Sequence, residues 1–196
     1  ARGLYQGTLA QYRWAPVFDL PWIKQQMGER FSAELNRFFA ENLFNMTNQP
    51  DIHVPYLLAW SGAPEASFGI VDHYLTREMP HRYTNSAVRR EPWLGRSFAF
   101  APQGFADGMD DDAGTMTAWY VWATFGLYPL TPGIPSYQIT SPRVSQIVIR
   151  PNKGQEIVLT RTSPGAVVIN GRTARGTVSH AELTGSPSCH DAQSGP

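Results

Sequence analysis

The sequence predicts a mainly α-helical fold followed by a C-terminal antiparallel β module. Up to about residue 130, apolar residues recur at helical spacing between Pro- and Gly-rich breaks. Beyond that point, short β-branched runs alternate with turn signals such as "PNKG", "SPG" and "NG". The division expected is 1–130 helical and 131–185 β, with a Gly/Ser/Pro-rich tail over 186–196 predicted to be disordered.

The elements follow in order. Asp19 as a cap and Pro21 in the first turn start a short helix over 21–27, and Gly28 stops it. "ERFSAELNRFFAENLF" places Phe31, Leu35, Phe38, Phe39 and Leu43 on one helical face. "HVPYLLAWSG" repeats the plan and ends at Gly62. "PEASFGIVDHYLTREM" puts Phe68, Val71 and Leu75 on one face and stops before Pro80. Residues 80–108 have no clean period and are predicted to form a long loop of little regular structure. "GTMTAWYVWATFG" is apolar nearly all round, which predicts a helix buried on most of its surface. "SYQITS", "VSQIVIR", "QEIVLTRT" and "AVVINGRTA" then supply the strands of one antiparallel sheet module. So few helices beside one small sheet do not close into an enzyme of helical-barrel type, so the sequence is expected to be the C-terminal piece of a longer chain.

Sixteen basic and sixteen acidic residues give zero net charge, and Arg89-Arg90 is the one adjacent basic pair. Neither nucleic acid nor an anionic membrane surface is indicated as a partner, and no apolar run approaches the roughly 20 residues of a membrane span. The single Cys189 can build neither an internal disulfide nor a thiolate metal site. Phosphate-loop, dinucleotide-binding, zinc-protease and nucleophile-elbow motifs are absent. "DGMDDDAG" is not an EF-hand, because counting from Asp107 or Asp110 puts Ala118 or Val121 where the twelfth-position Glu belongs.

Two segments carry candidate chemistry. Asp110-Asp111-Asp112 stands directly before "AGTMTAW". One of these acids is a natural cap for the helix that follows; alternatively Asp110 and Asp112 aim into a cleft, activating water or holding a cation, while Asp111 points elsewhere. In "TNQPDIHVPY", Asn48 and Gln49 offer amide donors and neutral oxygens, Pro50 fixes a turn, and His53 opens the next helix. That pattern suits an ordinary Asx turn and equally a sugar site, where hydroxyls need hydrogen bonds and ring faces need aromatics.

Taken in order, three runs are more specific than any one alone. They are Tyr5-x-Gly7 with Gln11-Tyr12-x-Trp14, then Asn48-x-Pro50 with His53, then Asp110-Asp111-Asp112-x-Gly114-x-Met116-Thr117-Ala118-Trp119-Tyr120 leading into "FGLYPLTPGIPSYQITSP". Over about residues 4–184 the chain resembles the C-terminal part of glycoside hydrolase family 92, the calcium-dependent, inverting exo-α-mannosidases. The resemblance implies that the helices are the last part of an (α/α)6 barrel with β-structure packed beside it, and "VSHAEL" fits the closing strands. It also implies an N-terminal β-sandwich partner domain in the full-length enzyme, a secreted or cell-envelope location, and mannose-containing glycans as substrates. By residue, it implies that Asp110 and Asp112 do general-base work and that Asn48, Gln49 and His53 handle the mannose and its Ca2+, with Gln49 the candidate ligand. Gln11 and Trp14 are carried over as sugar-binding positions.

The chain departs from the family pattern at Ala10, where members have Trp, at Gln49, where they usually have Glu, and most consequentially at Gln6. Family members carry Glu as general acid in the first segment, and counting back from Gln11-Tyr12 that Glu falls on Gln6. An amide cannot protonate a leaving alkoxide, and general acid–base assistance is typically worth about 10²–10⁴-fold. Three readings follow: a mannoside-binding protein without catalysis, an introduced substitution, or a substrate whose leaving group needs no proton. A mannosyl phosphodiester, such as a mannose-1-phospho-6-mannose cap, is a substrate of the last kind. Its phosphate leaves as a weakly basic anion and would be repelled by a carboxylate but can accept a hydrogen bond from Gln6.

Overall fold

The computed structural model describes residues 7–46, 49–81, 93–100, 102, 104, 111–152 and 154–185. Helices α1 (Leu9–Tyr12), α2 (Leu20–Met27), α3 (Arg30–Ala40), α4 (Val54–Trp60) and α5 (Pro64–Thr76) lead to a two-stranded ribbon of β1 (Glu78–His81) and β2 (Trp93–Arg96). Helix α6 (Thr115–Phe125) runs into β3 (Leu127–Tyr128) and β4 (Ser136–Ile139). Strands β5 (Gln146–Ile149), β6 (Ile157–Arg161), β7 (Ala166–Ile169), β8 (Arg172–Arg175) and β9 (Thr177–Ser179) follow, and α7 (His180–Thr184) closes the described chain.

The helix signals act as read. Asp19 accepts the Trp22 N–H at 3.1 Å, and Gly28 ends α2 with a positive φ. Helix α3 buries Phe31, Leu35 and Phe38. Its end is a Schellman closure on Asn42, with Leu43 N–H donating to the Phe38 carbonyl at 2.9 Å and Asn42 N–H to Phe39 at 3.0 Å.

The structure differs from the sequence reading in four places. Helix α5 stops at Thr76 rather than near Met79, because Pro80 holds the residue before it extended, and its buried stripe is Ser67, Val71 and Tyr74 rather than Phe68, Val71 and Leu75. Part of 80–108 is not loop: Glu78 pairs with Arg96 and His81 with Trp93 in antiparallel register. Helix α6 is buried on one face only, through Met116, Trp119 and Ala123, while Tyr120 is 44% exposed. Its all-round apolar sequence gave no stripe to read. The β module is two sheets, β3-β4-β9 and β5-β6-β7-β8. The first forms because Gly126, in the left-handed region, turns α6 straight into β3, and the Gly126 carbonyl accepts the Thr140 N–H at 2.8 Å. "VSHAEL" accordingly splits into β9 and α7, whose start is a capping box between Ser179 and Glu182.

Two apolar cores result. The helical core gathers Trp14, Phe31, Leu35, Phe44, Tyr56 and Trp119, and the β core gathers Leu127, Ile139, Leu159, Val167 and Leu183; Trp122 packs against both. Tyr56 of α4 and Tyr128 of β3 stack at 3.8 Å within the helical core. Among the described residues no helix is long and apolar enough to cross a membrane. The predicted tail lies outside the described residues.

Candidate functional site

The site is held by three consecutive residues, Asp51, Ile52 and His53. Gln49–Asp51 form a single 3-10 turn, and Pro55 in the first turn of α4 fixes the helix that follows. Asp51 is fully buried, and its Oδ2 accepts the Asn45 N–H at 3.0 Å. Gln11 faces the same carboxyl from α1 without closing a hydrogen bond to it. The Ile52 carbonyl accepts the Trp119 indole N–H at 2.8 Å. His53 Nε2 lies 2.6 Å from the Trp14 carbonyl, so this nitrogen carries the proton and donates it.

These contacts bring the three motif runs together. Residue 53 grips Trp14, residue 52 grips α6, and residue 51 holds the loop at Asn45. Gly7 completes the seam, because a Cβ there would meet the Tyr12 ring at 2.7 Å and Pro50 at 3.3 Å. Burial sets the electrostatics. It pushes the Asp51 carboxyl up to about 8, opposed by the Asn45 N–H and the Gln11 side chain, so Asp51 is protonated near neutral pH. Burial lowers the His53 imidazole, opposed by its bond to the Trp14 carbonyl, which keeps the ring neutral.

The acidic run divides its labour. Asp111 Oδ1 accepts the Thr117 N–H at 2.9 Å and its carbonyl accepts the Met116 N–H, so Asp111 caps α6. Asp112, Ala113 and Gly114 then take φ values of 48, 57 and 90° in succession. Left-handed backbone costs roughly 1–2 kcal/mol per non-glycine residue, and such strain concentrates at functional positions. Asp112 is half-buried, with its carbonyl accepting the Thr115 hydroxyl at 2.7 Å. On the other side of α6, Phe98 lies parallel to the Trp119 ring and edge-on to Tyr120. Phe98 and Tyr120, with Leu75, Ala99, Phe100 and Thr117, line an open cleft of about 360 Å³.

The sequence-predicted residues fall into three groups. Gln6, Asn48 and Asp110 lie outside the described residues. Gln49, Asp112 and His53 are on the assembled turn, the strained loop and the head of α4. Gln11 and Trp14 are 1% and 3% exposed: Gln11 closes a capping box with Thr8, and the Trp14 ring packs edge-on against Phe31 and Phe38. Asp51 was missed by sequence reasoning. The one available signal was an acid between Pro50 and the apolar start of α4, and a turn explains that equally well. Asn45, in the sequence context of a glycosylation acceptor, is 2% exposed, which removes its side chain from surface chemistry.

The sequence over residues 1–189 matches the profile of the glycosyl hydrolase family 92 catalytic domain. The chain belongs to glycoside hydrolase family 92. Among solved structures it is similar to the family 92 glycosyl hydrolase ccman5, at 27% identity and a TM-score of 0.82, over 95% of this chain and 28% of that one. The family 92 α-mannosidase BT3965 from Bacteroides thetaiotaomicron, solved with mannoimidazole, shares 21% identity at a TM-score of 0.71, over 91% of this chain and 24% of that one. The family 92 inverting mannosidase BT2199 from Bacteroides thetaiotaomicron VPI-5482 shares 21% at 0.68, over 92% of this chain and 26% of that one. The chain thus spans about a quarter of the length of these solved family 92 relatives. No curated protein matches it.

Proposed function

We propose that this chain supplies part of the catalytic site of a family 92 glycosidase that releases terminal α-linked mannose with inversion. The observation that carries the proposal is the convergence of the three motif runs on Asp51, Ile52 and His53. In this reading Asp112, with Asp110, takes the proton of the attacking water on the face of the sugar opposite the leaving group. Capping occupies Asp111, so the base work falls to its neighbours. Gln49 holds sugar hydroxyls, while Gln11 and Trp14 support the opening segment from within. The remainder of an (α/α)6 barrel and an N-terminal β-sandwich belong to the same full-length enzyme, acting on mannose-containing glycans outside the cytoplasm.

Calcium is an expectation of the family resemblance. Among the described residues no group of three His, Cys, Asp or Glu side chains is placed to hold a metal, and Gln49 brings one neutral oxygen where Ca2+ takes about 6–8. Carboxylate and imidazole ligands for the ion are therefore not gathered among the described residues.

At the leaving-group position Gln6 supports a mannosyl phosphodiester over a plain disaccharide, because the phosphate departs without a proton. The test is mannose release by the full-length protein from an α-mannosyl phosphodiester and from α-1,2-mannobiose, each with and without a calcium chelator. Faster release from the phosphodiester is expected, and Gln6→Glu should shift the preference towards the disaccharide. Equal rates on both substrates would remove the leaving-group argument. Mannose binding without release would mark a non-catalytic mannoside-binding protein.

A further inference from the structure

The bond from the Trp119 indole to the Ile52 carbonyl fills a gap in local pairing. A carbonyl just ahead of a helix is ordinarily taken by the N–H three or four residues further on. For Ile52 the third residue on is Pro55, which has no N–H. The fourth, Tyr56, donates instead to the His53 carbonyl at 3.0 Å. The Ile52 carbonyl is thus left to a partner from elsewhere, and the Trp119 N–H reaches it at 2.8 Å across 67 positions. An indole N–H is a donor only, so the bond has one sense. Packing fixes the ring that makes it. Trp119 is 1% exposed, with Phe98 parallel to it at 6.0 Å and Tyr56 of α4 edge-on at 6.1 Å.

Both ends of this bond adjoin residues that the proposed reaction uses. Ile52 follows directly on the Gln49–Asp51 turn. Trp119 stands less than one turn beyond Met116 and Thr117, whose N–H groups are held by the Asp111 carbonyl and side chain. Asp111 leads straight into Asp112, the first residue of the left-handed path. We propose that Trp119 is a positioning residue: its bond to Ile52 fixes the Asp112 loop against the Gln49 turn, and so sets the base against the sugar it serves. A misplacement of about 1 Å can cost roughly 10²-fold in rate. This role rests on the proposed glycosidase activity, but the bond has its own readout.

The test replaces Trp119 of the full-length protein, at that site alone, with benzothienylalanine, whose sulfur takes the place of the N–H while the ring shape is kept. Ala123→Gly, which loosens the same helix with the indole bond intact, controls for lost stability. On an α-mannosyl phosphodiester the benzothienyl variant should lose about 10–100-fold in kcat, with the dissociation constant for mannose within about threefold of wild type. Added azide separates a displaced base from a damaged fold, because azide needs no deprotonation. Its nitrogen bonds to the anomeric carbon as the carbon–oxygen bond breaks, and the phosphate leaves with the electron pair. Substrate consumption by the variant should therefore rise at least about fivefold with azide, forming β-mannosyl azide, while wild type and Ala123→Gly should not respond. Amide exchange should accelerate at least about tenfold in 49–53, with β5–β8 unchanged. Unchanged kcat, loss of mannose binding together with kcat, no response to azide, or the same response in Ala123→Gly would each overturn the role. A wild-type protein that does not release mannose fails the proposed function instead. Exchange in 49–53 then still decides whether the indole bond holds the turn, and unchanged protection there would show that it does not.

Discussion

The β module and the helical half solve the same problem at different ranges. In the β module the chain reverses on its own chemistry. Asn170 and Gly171 both have positive φ, as a two-residue hairpin turn requires, and Asn170 Oδ1 also accepts the Val158 N–H at 2.7 Å. In the helical half the decisive bonds join residues far apart: Trp119 to Ile52 across 67 positions and His53 to Trp14 across 39. Local chemistry builds the scaffold, whereas the candidate site exists only where distant segments meet.

Three substitutions sharpen that contrast, from the largest expected effect to the smallest. Trp119→Phe removes the indole N–H and leaves the Ile52 carbonyl buried without it; together with the lost volume this should destabilise by about 2–4 kcal/mol in chemical denaturation. Exchange protection should fall in 49–53 before it falls in β5–β8. Asn170→Ala forces a left-handed alanine and removes the side-chain bonds to Val158 and Glu156. It should cost about 1–2 kcal/mol, with exchange accelerating in β6–β8 while 7–14 stays protected. Loss of protection in both halves at once would show that the cores unfold as one unit through Trp122.

The smallest effect is on pH dependence. Burial lowers the His53 imidazole below its ordinary value of 6.5, so on acidification the unfolded chain takes up a proton that the folded chain resists. Stability from this group is present above pH 6.5 and is lost as pH falls from there towards the lowered folded value. His53→Gln, compared with wild type by thermal unfolding across pH 5–8, should flatten that part of the slope; identical slopes would mean that His53 is not buried neutral.

The same division explains what the sequence made legible. The Asp19 cap, the Gly28 stop and the Asn170-Gly171 turn were readable because each rule operates within a few residues. The face of α6 was not, since apolar residues on every side leave only tertiary contact to choose which is buried. Asp51 was unreadable for a related reason: its chemistry comes from burial, and its burial comes from α1 and the loop around Asn45. Among the acids, the sequence marked Asp110, Asp111 and Asp112 as a group. Which of them caps α6 was decided by the left-handed path of residues 112–114.

The bond from the Trp119 indole to the Ile52 carbonyl has a further consequence, in time rather than in space. Closing so long a loop is slow and gains nothing until both ends are ordered. The hairpin at Asn170 can form within microseconds. The seam at Asp51, Ile52 and His53 must wait for α1, α4 and α6 to arrive together. In a chain still folding, the scaffold therefore appears first and the candidate site last, so the Trp119–Ile52 contact marks the completion of the fold.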